Sequence, residues 1–116
     1  ELKRDGDNVH YEAFVSFMDA VLGESIEIPT LSGKVKIKID AGTQSGKVLR
    51  LRGKGLPNVQ GYGSGDLFAH INVWTPTKIS KEEKSIIENL KKSENFQPKA
   101  GDKDKGFFKQ MRDMFS

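Results

Sequence analysis

Glu24-Ser25-Ile26-Glu27-Ile28-Pro29-Thr30-Leu31-Ser32-Gly33-Lys34-Val35-Lys36-Ile37-Lys38-Ile39 is the stretch that decides the fold. Its second half alternates without a break. Val35, Ile37 and Ile39 share one side, and Lys34, Lys36 and Lys38 share the other. A period of two puts successive side chains on opposite faces of a strand, so this is a half-buried strand with a wet lysine face. Glu24 to Pro29 alternates in the same way, and Thr30-Leu31-Ser32-Gly33 is a turn between the two runs. Two alternating runs around a Gly-containing turn make a hairpin. Lysine along the wet face also discourages sheet-to-sheet aggregation.

Outward from the hairpin, the same period recurs. Towards the N-terminus, Val9, Tyr11, Ala13, Val15 and Phe17 alternate with His10, Glu12, Phe14 and Ser16. Phe14 breaks the polar side, which points to partial cover there. Ser16 to Gly23 has helix-spaced apolar residues, and Gly23 is a left-handed stop. Glu1 to Asn8 is charged and polar, with no apolar run behind it. Towards the C-terminus, Lys47 to Arg52 is a strand with Leu49 and Leu51 facing in. A glycine-rich loop runs from Gly53 to Gly65. A further strand, Asp66 to Trp74, has Leu67, Ala69, Ile71 and Val73 on one side, and Pro76 closes it.

The period then changes. Ser80-Lys81-Glu82-Glu83 is a capping box, and Ile86, Ile87 and Leu90 form an apolar stripe. The pattern predicts a helix of about three turns ending near Lys92. Ser93 to Lys105 is polar and reads as a flexible linker. Beyond it Phe107, Phe108, Met111, Met114 and Phe115 fall on one face of a short amphipathic helix. So short a helix is marginal alone, while burying each of these side chains contributes about 1.5–3 kcal/mol. The helix is therefore expected to dock, with a second copy of the chain as the favoured partner, its own domain as the alternative and a membrane surface as a weaker third reading. The expected organisation is a β-domain over 1–78, a helix over 79–92, a linker over 93–105 and a dimerisation helix over 106–116. The expected fold class is mainly β: a small antiparallel β-sandwich with a short helical turn and C-terminal helices.

Composition narrows the function. The 116 residues include no Cys, which excludes disulfides and thiolate zinc sites in this chain and is compatible with a cytoplasmic location. His10 and His70 are too few for a histidine-rich metal site. No apolar run reaches the length of a membrane span, and the N-terminal residues lack a signal-peptide core. The chain begins at Glu1 without an initiator Met, so it is expected to be an excised fragment. Lys and Arg number 19 against 16 acids and the signs are mixed, whereas nucleic-acid binders cluster their charge.

Three motifs resemble chemistry. Gly42-Thr43-Gln44-Ser45-Gly46-Lys47 is one residue short of a phosphate loop, Val48 replaces the magnesium-binding hydroxyl, and a strand follows instead of a helix. A turn is the better reading. Gly61-Tyr62-Gly63-Ser64-Gly65 precedes a strand instead of following one, so a flexible loop displaces the dinucleotide fingerprint. Arg50-Leu51-Arg52-Gly53-Lys54-Gly55 is a basic cluster that could meet phosphates or acidic partners, with a solvated strand end as the favoured alternative. Asp66, after glycines at a strand start, suits a turn cap. His10 and His70 read as sheet-face histidines. No Ser–His–acid grouping follows from spacing, so no enzyme activity is expected.

Several of these residues together resemble the DnaJ co-chaperone family. They are Arg4-Asp5-Gly6-Asp7-Asn8-Val9-His10-Tyr11, Ala20-Val21-Leu22-Gly23, Ile28 to Ile39, Gly42 to Lys47, Leu51-Arg52-Gly53-Lys54-Gly55-Leu56-Pro57, Gly65-Asp66-Leu67 and Thr75-Pro76-Thr77-Lys78. The ordered set covers Arg4 to about Leu90, and the tail with Phe107 and Phe108 is similar but looser. The resemblance implies the second C-terminal β-domain of such a protein plus its dimerisation tail. It implies binding of unfolded polypeptides and delivery to DnaK through the parent protein. The His-Pro-Asp motif and the cysteine repeats that bind zinc do not occur here, so no cofactor is expected in this fragment. Expected site residues are Phe107, Phe108, Met111, Met114 and Phe115 for dimerisation, and Phe14, Phe68 and Leu56 for client contact. The alternative from another class is a basic nucleic-acid-binding β-domain.

Overall fold

The computed structural model describes residues 2–58, 61 and 63–98. In chain order they form β1 (Leu2–Asp5), β2 (Asn8–Ser16), α1 (Phe17–Leu22), β3 (Glu24–Thr30), β4 (Gly33–Ile39), β5 (Val48–Leu51), β6 (Leu67–Trp74) and α2 (Lys81–Lys91), followed by a 3-10 turn at Glu94–Phe96. Two units divide after Pro76. The dimerisation residues Phe107, Phe108, Met111, Met114 and Phe115 lie outside the described residues.

The first unit is the expected mainly-β sandwich. One sheet has the order β1-β2-β6-β5, and the hairpin β3-β4 forms the other. Ile28 of β3 packs with Leu67 and Ala69 of β6, and Ile39 of β4 packs with Ala13, Val15, Ala20 and Ile71. The core is therefore the contact between the two sheets, closed at one end by α1. Ile28, Leu67, Ala69 and Ile71 are fully buried. Sequestering each of the three larger ones contributes about 1.5–3 kcal/mol.

Some features depart from the sequence reading. The polar N-terminus holds a strand: β1 pairs antiparallel with β2 around the turn at Gly6 and Asp7, from Leu2↔Tyr11 to Asp5↔Asn8. Only Leu2 of this strand joins the core, so backbone bonds rather than apolar pattern make it a strand. The central pair is parallel, with Val9↔Leu67 through Ser16↔Trp74. Parallel strands need a long crossover, and here α1, the hairpin and β5 all lie in it. Phe17 leaves the strand, opens α1 and is exposed. Phe14 is not covered either; it is 66% exposed.

Helix α1 is short and closely capped. The Asp19 amide donates to Ser16 Oγ at 3.0 Å, and the Gly23 amide donates to the Asp19 carbonyl at 2.8 Å. Gly23 sits at φ 84°, where a Cβ would come within 3.0 Å of the Ala41 nitrogen, so both conformation and space call for glycine. In the second unit, α2 starts on the expected capping box. The Ser80 amide donates to Glu83 Oε1 at 2.7 Å and the Glu83 amide donates to Ser80 Oγ at 3.2 Å. These bonds hold the Glu83 carboxyl below its usual pKa.

Candidate functional site

The outer face of the four-stranded sheet carries what the core cannot hold. Because β2 and β6 run in register, His10 lies beside Phe68, Glu12 beside His70, Phe14 beside Asn72 and Ser16 beside Trp74. Antiparallel β5 adds Val48 beside His70 and Arg50 beside Phe68. All these side chains point away from the sandwich.

Phe68 is bracketed by two nitrogen-bearing groups. The His10 ring stacks on it at 5.2 Å between centroids and 20° between planes. The Arg50 guanidinium lies 5.8 Å from the ring centre, within cation–π range. His10 Nδ1 and His70 Nε2 are 2.8 Å apart, so one imidazole donates and the other accepts. His10 Nε2 faces the Asp5 carboxylate at 3.5 Å. The sheet-face reading of both histidines holds, and their pairing across the strands was not foreseen. Among the described residues no group of three His, Cys, Asp or Glu could hold a metal ion.

Towards the far end of the strands the face becomes apolar. Phe14 and Trp74 meet edge to face, 6.3 Å apart at 78°, and Trp74 is 57% exposed. Beyond them α1 leaves Phe17, Met18 and Leu22 in water, Leu22 at 76%. An open groove of about 430 Å³ lies at this end, with Phe17, Val21 and Val73 as apolar lining and Thr43, Gln44 and Ser45 as a polar rim. Exposed large apolar groups gathered at one place mark an interaction surface more often than chance exposure. Aromatic edges and a groove the size of a few side chains, rimmed by hydroxyl and amide groups, suit a ligand that carries bulky apolar groups.

Of the three residues expected to contact clients, Phe14 and Phe68 share the outer face, separated by Glu12 and His70. Leu56 does not join them. It is half-buried in the glycine-rich loop, its amide donating to the Asp7 carbonyl at 2.8 Å. Trp74, Met18 and Leu22 were missed. Trp74 has the same parity in β6 as Phe68, which would have placed it on this face.

The glycine-rich loop and the basic cluster serve structure. The amides of Gly55 and Gly65 donate to the carbonyls of Gly65 and Leu56 at 2.9 and 2.8 Å. Gly65 lies so close to the Asp7 carbonyl that a Cβ there would overlap it. This part of the loop is a clasp on the β1–β2 turn, not the free loop expected. Asp66 Oδ1 accepts from the Gly53 amide at 2.9 Å, and Oδ2 accepts from Arg50 Nε at 2.6 Å. The Gly53 amide and then Arg50 hold the Asp66 carboxyl below its usual pKa. Asp66 is thus the turn cap the sequence suggested, and Arg50 is engaged by it. The residues Gly42 to Lys47 form turns, with Val73 donating to Ser45 Oγ at 3.0 Å, as the non-phosphate reading required. Among the described residues no helix is long and apolar enough to cross a membrane.

The sequence family described as the DnaJ C terminal domain matches residues 1–76. The Chaperone protein DnaJ of Bacteroides fragilis (strain YCH46) is 54% identical over 115 residues, which cover 99% of this chain and 29% of that protein. The Chaperone protein DnaJ of Salinibacter ruber is 40% identical over 116 residues, 98% of this chain and 30% of the relative. That of Geobacillus kaustophilus is 50% identical over 90 residues, covering 78% and 24%. The chain thus spans less than a third of the length of these relatives.

Proposed function

The chain belongs to the DnaJ C-terminal domain family, and from that premise we propose that it is the client-holding and dimerising module of a co-chaperone. Its outer sheet face and α1 bind non-native polypeptide. Its Phe107, Phe108, Met111, Met114 and Phe115 pair two copies, and the parent protein delivers clients to DnaK. The observation that carries this reading is the exposed apolar group Phe14, Phe17, Met18, Leu22 and Trp74 at one end of the first unit. Two such ends in a dimer raise the effective concentration on a client with two apolar segments. The module acts by binding and not by catalysis, without a cofactor of its own, in the cytoplasm.

The test is Phe14→Ala with Trp74→Ala in the full-length parent, followed by anisotropy of a labelled, permanently unfolded polypeptide. Weaker client binding with an unchanged melting curve is expected; unchanged binding would overturn the assignment of this face. Light scattering of the chain and of a truncation after Asn95 tests the pairing: dimer against monomer is expected, and two monomers would remove the tail from the interface. The competing nucleic-acid reading predicts steeply salt-dependent DNA binding. The engagement of Arg50 by Asp66 disfavours it, because it occupies the first cation of the basic cluster.

A further inference from the structure

The parallel register brings the chain's two histidines, 60 positions apart, together on the outer face. His10 Nδ1 and His70 Nε2 stand 2.8 Å apart, and the rings, 5.1 Å between centroids, face each other end-on. Imidazole nitrogens bind first-row divalent ions at about 2 Å. Two of them in neighbouring positions of a square-planar or octahedral shell then lie about 2.8–3.0 Å apart, and two in a tetrahedral shell about 3.3 Å. The separation found between these nitrogens is the first of the two values.

One of the two donors is already set. The Asp5 carboxylate, 3.5 Å from His10 Nε2, favours a proton on that nitrogen and leaves Nδ1 with its lone pair towards His70. A carboxylate behind the imidazole is the usual outer partner of a metal-bound histidine. Phe68 stacks on the same ring and fixes its plane, 20° from its own. His70 is therefore the ring that turns. It gives up its Nε2 proton, takes one on Nδ1, and rotates until both lone pairs meet at one point beside the line between the nitrogens. The charges around the pair favour a cation. Glu12 lies beside His70, its carboxylate held by Asn72 Nδ2 at 2.7 Å. Arg50 is engaged by Asp66 at 2.6 Å, and Lys3 stands opposite His10 in β1. Three acids thus face two bases.

We infer that His10 and His70 form a two-histidine site for a divalent transition ion of square-planar or tetragonal preference, Cu2+ above all, with water completing its shell. Among the described residues no group of three His, Cys, Asp or Glu could hold a metal, so the ion is an exchangeable ligand and not a resident cofactor. Zn2+ fits less well, because its tetrahedral shell asks for a wider pair. Mg2+, which takes oxygen ligands, does not fit. The two ligands belong to strands that meet only in the folded unit, so the ion binds that state and stabilises it. The site needs neither a client nor a second copy, so it can fail while the proposed function stands.

Cu2+, Zn2+ and Mg2+ are titrated separately into the untagged whole chain. Cu2+ should bind tightest and Mg2+ not at all, and the melting temperature should rise with Cu2+. Paramagnetic broadening by one equivalent of Cu2+ should centre on the amides of His10 and His70, with two nitrogens in the copper EPR spectrum. His10→Gln and His70→Gln should each weaken Cu2+ binding at least about tenfold and abolish the rise in melting temperature. The wild-type spectra keep the test decisive if either variant misfolds. The inference is overturned if the broadening centres on the amino group of Glu1 or if the EPR spectrum shows a single nitrogen. It is also overturned if a folded Gln variant binds Cu2+ as tightly as the wild type.

Discussion

Along β6, neighbouring residues have opposite fates. Leu67, Ala69 and Ile71 are wholly buried against the hairpin, while Phe68, His70, Asn72 and Trp74 face outward. The outward row includes the large aromatic Phe68 and Trp74 beside the polar His70 and Asn72, so side-chain size does not separate the rows. Parity does: Ile28 and Ile39 cover one side, and on the other side Trp74 stays 57% exposed. One row holds the sandwich together and the other leaves aromatic surface exposed. A one-residue slip would exchange the two roles, and the eight-residue register with β2 holds them apart.

The contrast can be broken at its buried side first. Ile71→Ala should cost about 2–5 kcal/mol in urea unfolding, whereas Phe14→Ala on the outer face should stay within about 0.5 kcal/mol. Equal losses would mean that the outer row is also structural. Gly65→Ala comes next, because its Cβ overlaps the Asp7 carbonyl and the clasp must open. A loss of about 1–3 kcal/mol is expected, with weakened protection of the Leu56 amide in hydrogen exchange.

The smallest effect sharpens the contrast at the mouth of the outer face. Asp66 has its folded pKa depressed by the Gly53 amide and by Arg50. Its contribution is therefore complete above the ordinary carboxylate pKa and is lost as pH falls through the lower folded value. Melting curves of wild type and Asp66→Asn should differ at pH 7 and converge in acid below the ordinary carboxylate range. A difference that persists there would assign the effect to packing.

Much of this was legible because period-two patterns are read residue by residue. Val35, Ile37 and Ile39 gave the hairpin, and Ser80 with Glu83 gave the start of α2. What escaped has physical reasons. In β1 a single apolar residue, Leu2, reaches the core, so no periodicity could reveal a strand made by backbone pairing. A strand with one uncovered face alternates whichever way its neighbour runs, so the direction of β2 against β6 is invisible in sequence. The outward position of Phe14 was readable because it interrupts a polar side of its strand. The place of Leu56 was not legible because a loop has no parity to place its side chain, and Trp74 was read only as the end of a strand.

The parallel register carries a consequence for how the molecule comes into being. Val9 pairs with Leu67, 58 positions later, whereas the β3–β4 hairpin closes over a few residues. Contacts between distant positions form slowly, and they cannot form before both partners exist. On the ribosome, the hairpin is free to zip early, but β2 must wait beside an empty place until β6 has been synthesised and has left the exit tunnel. For most of its own birth this unit is the kind of unfinished chain, with an apolar face uncovered, that a chaperone is built to hold.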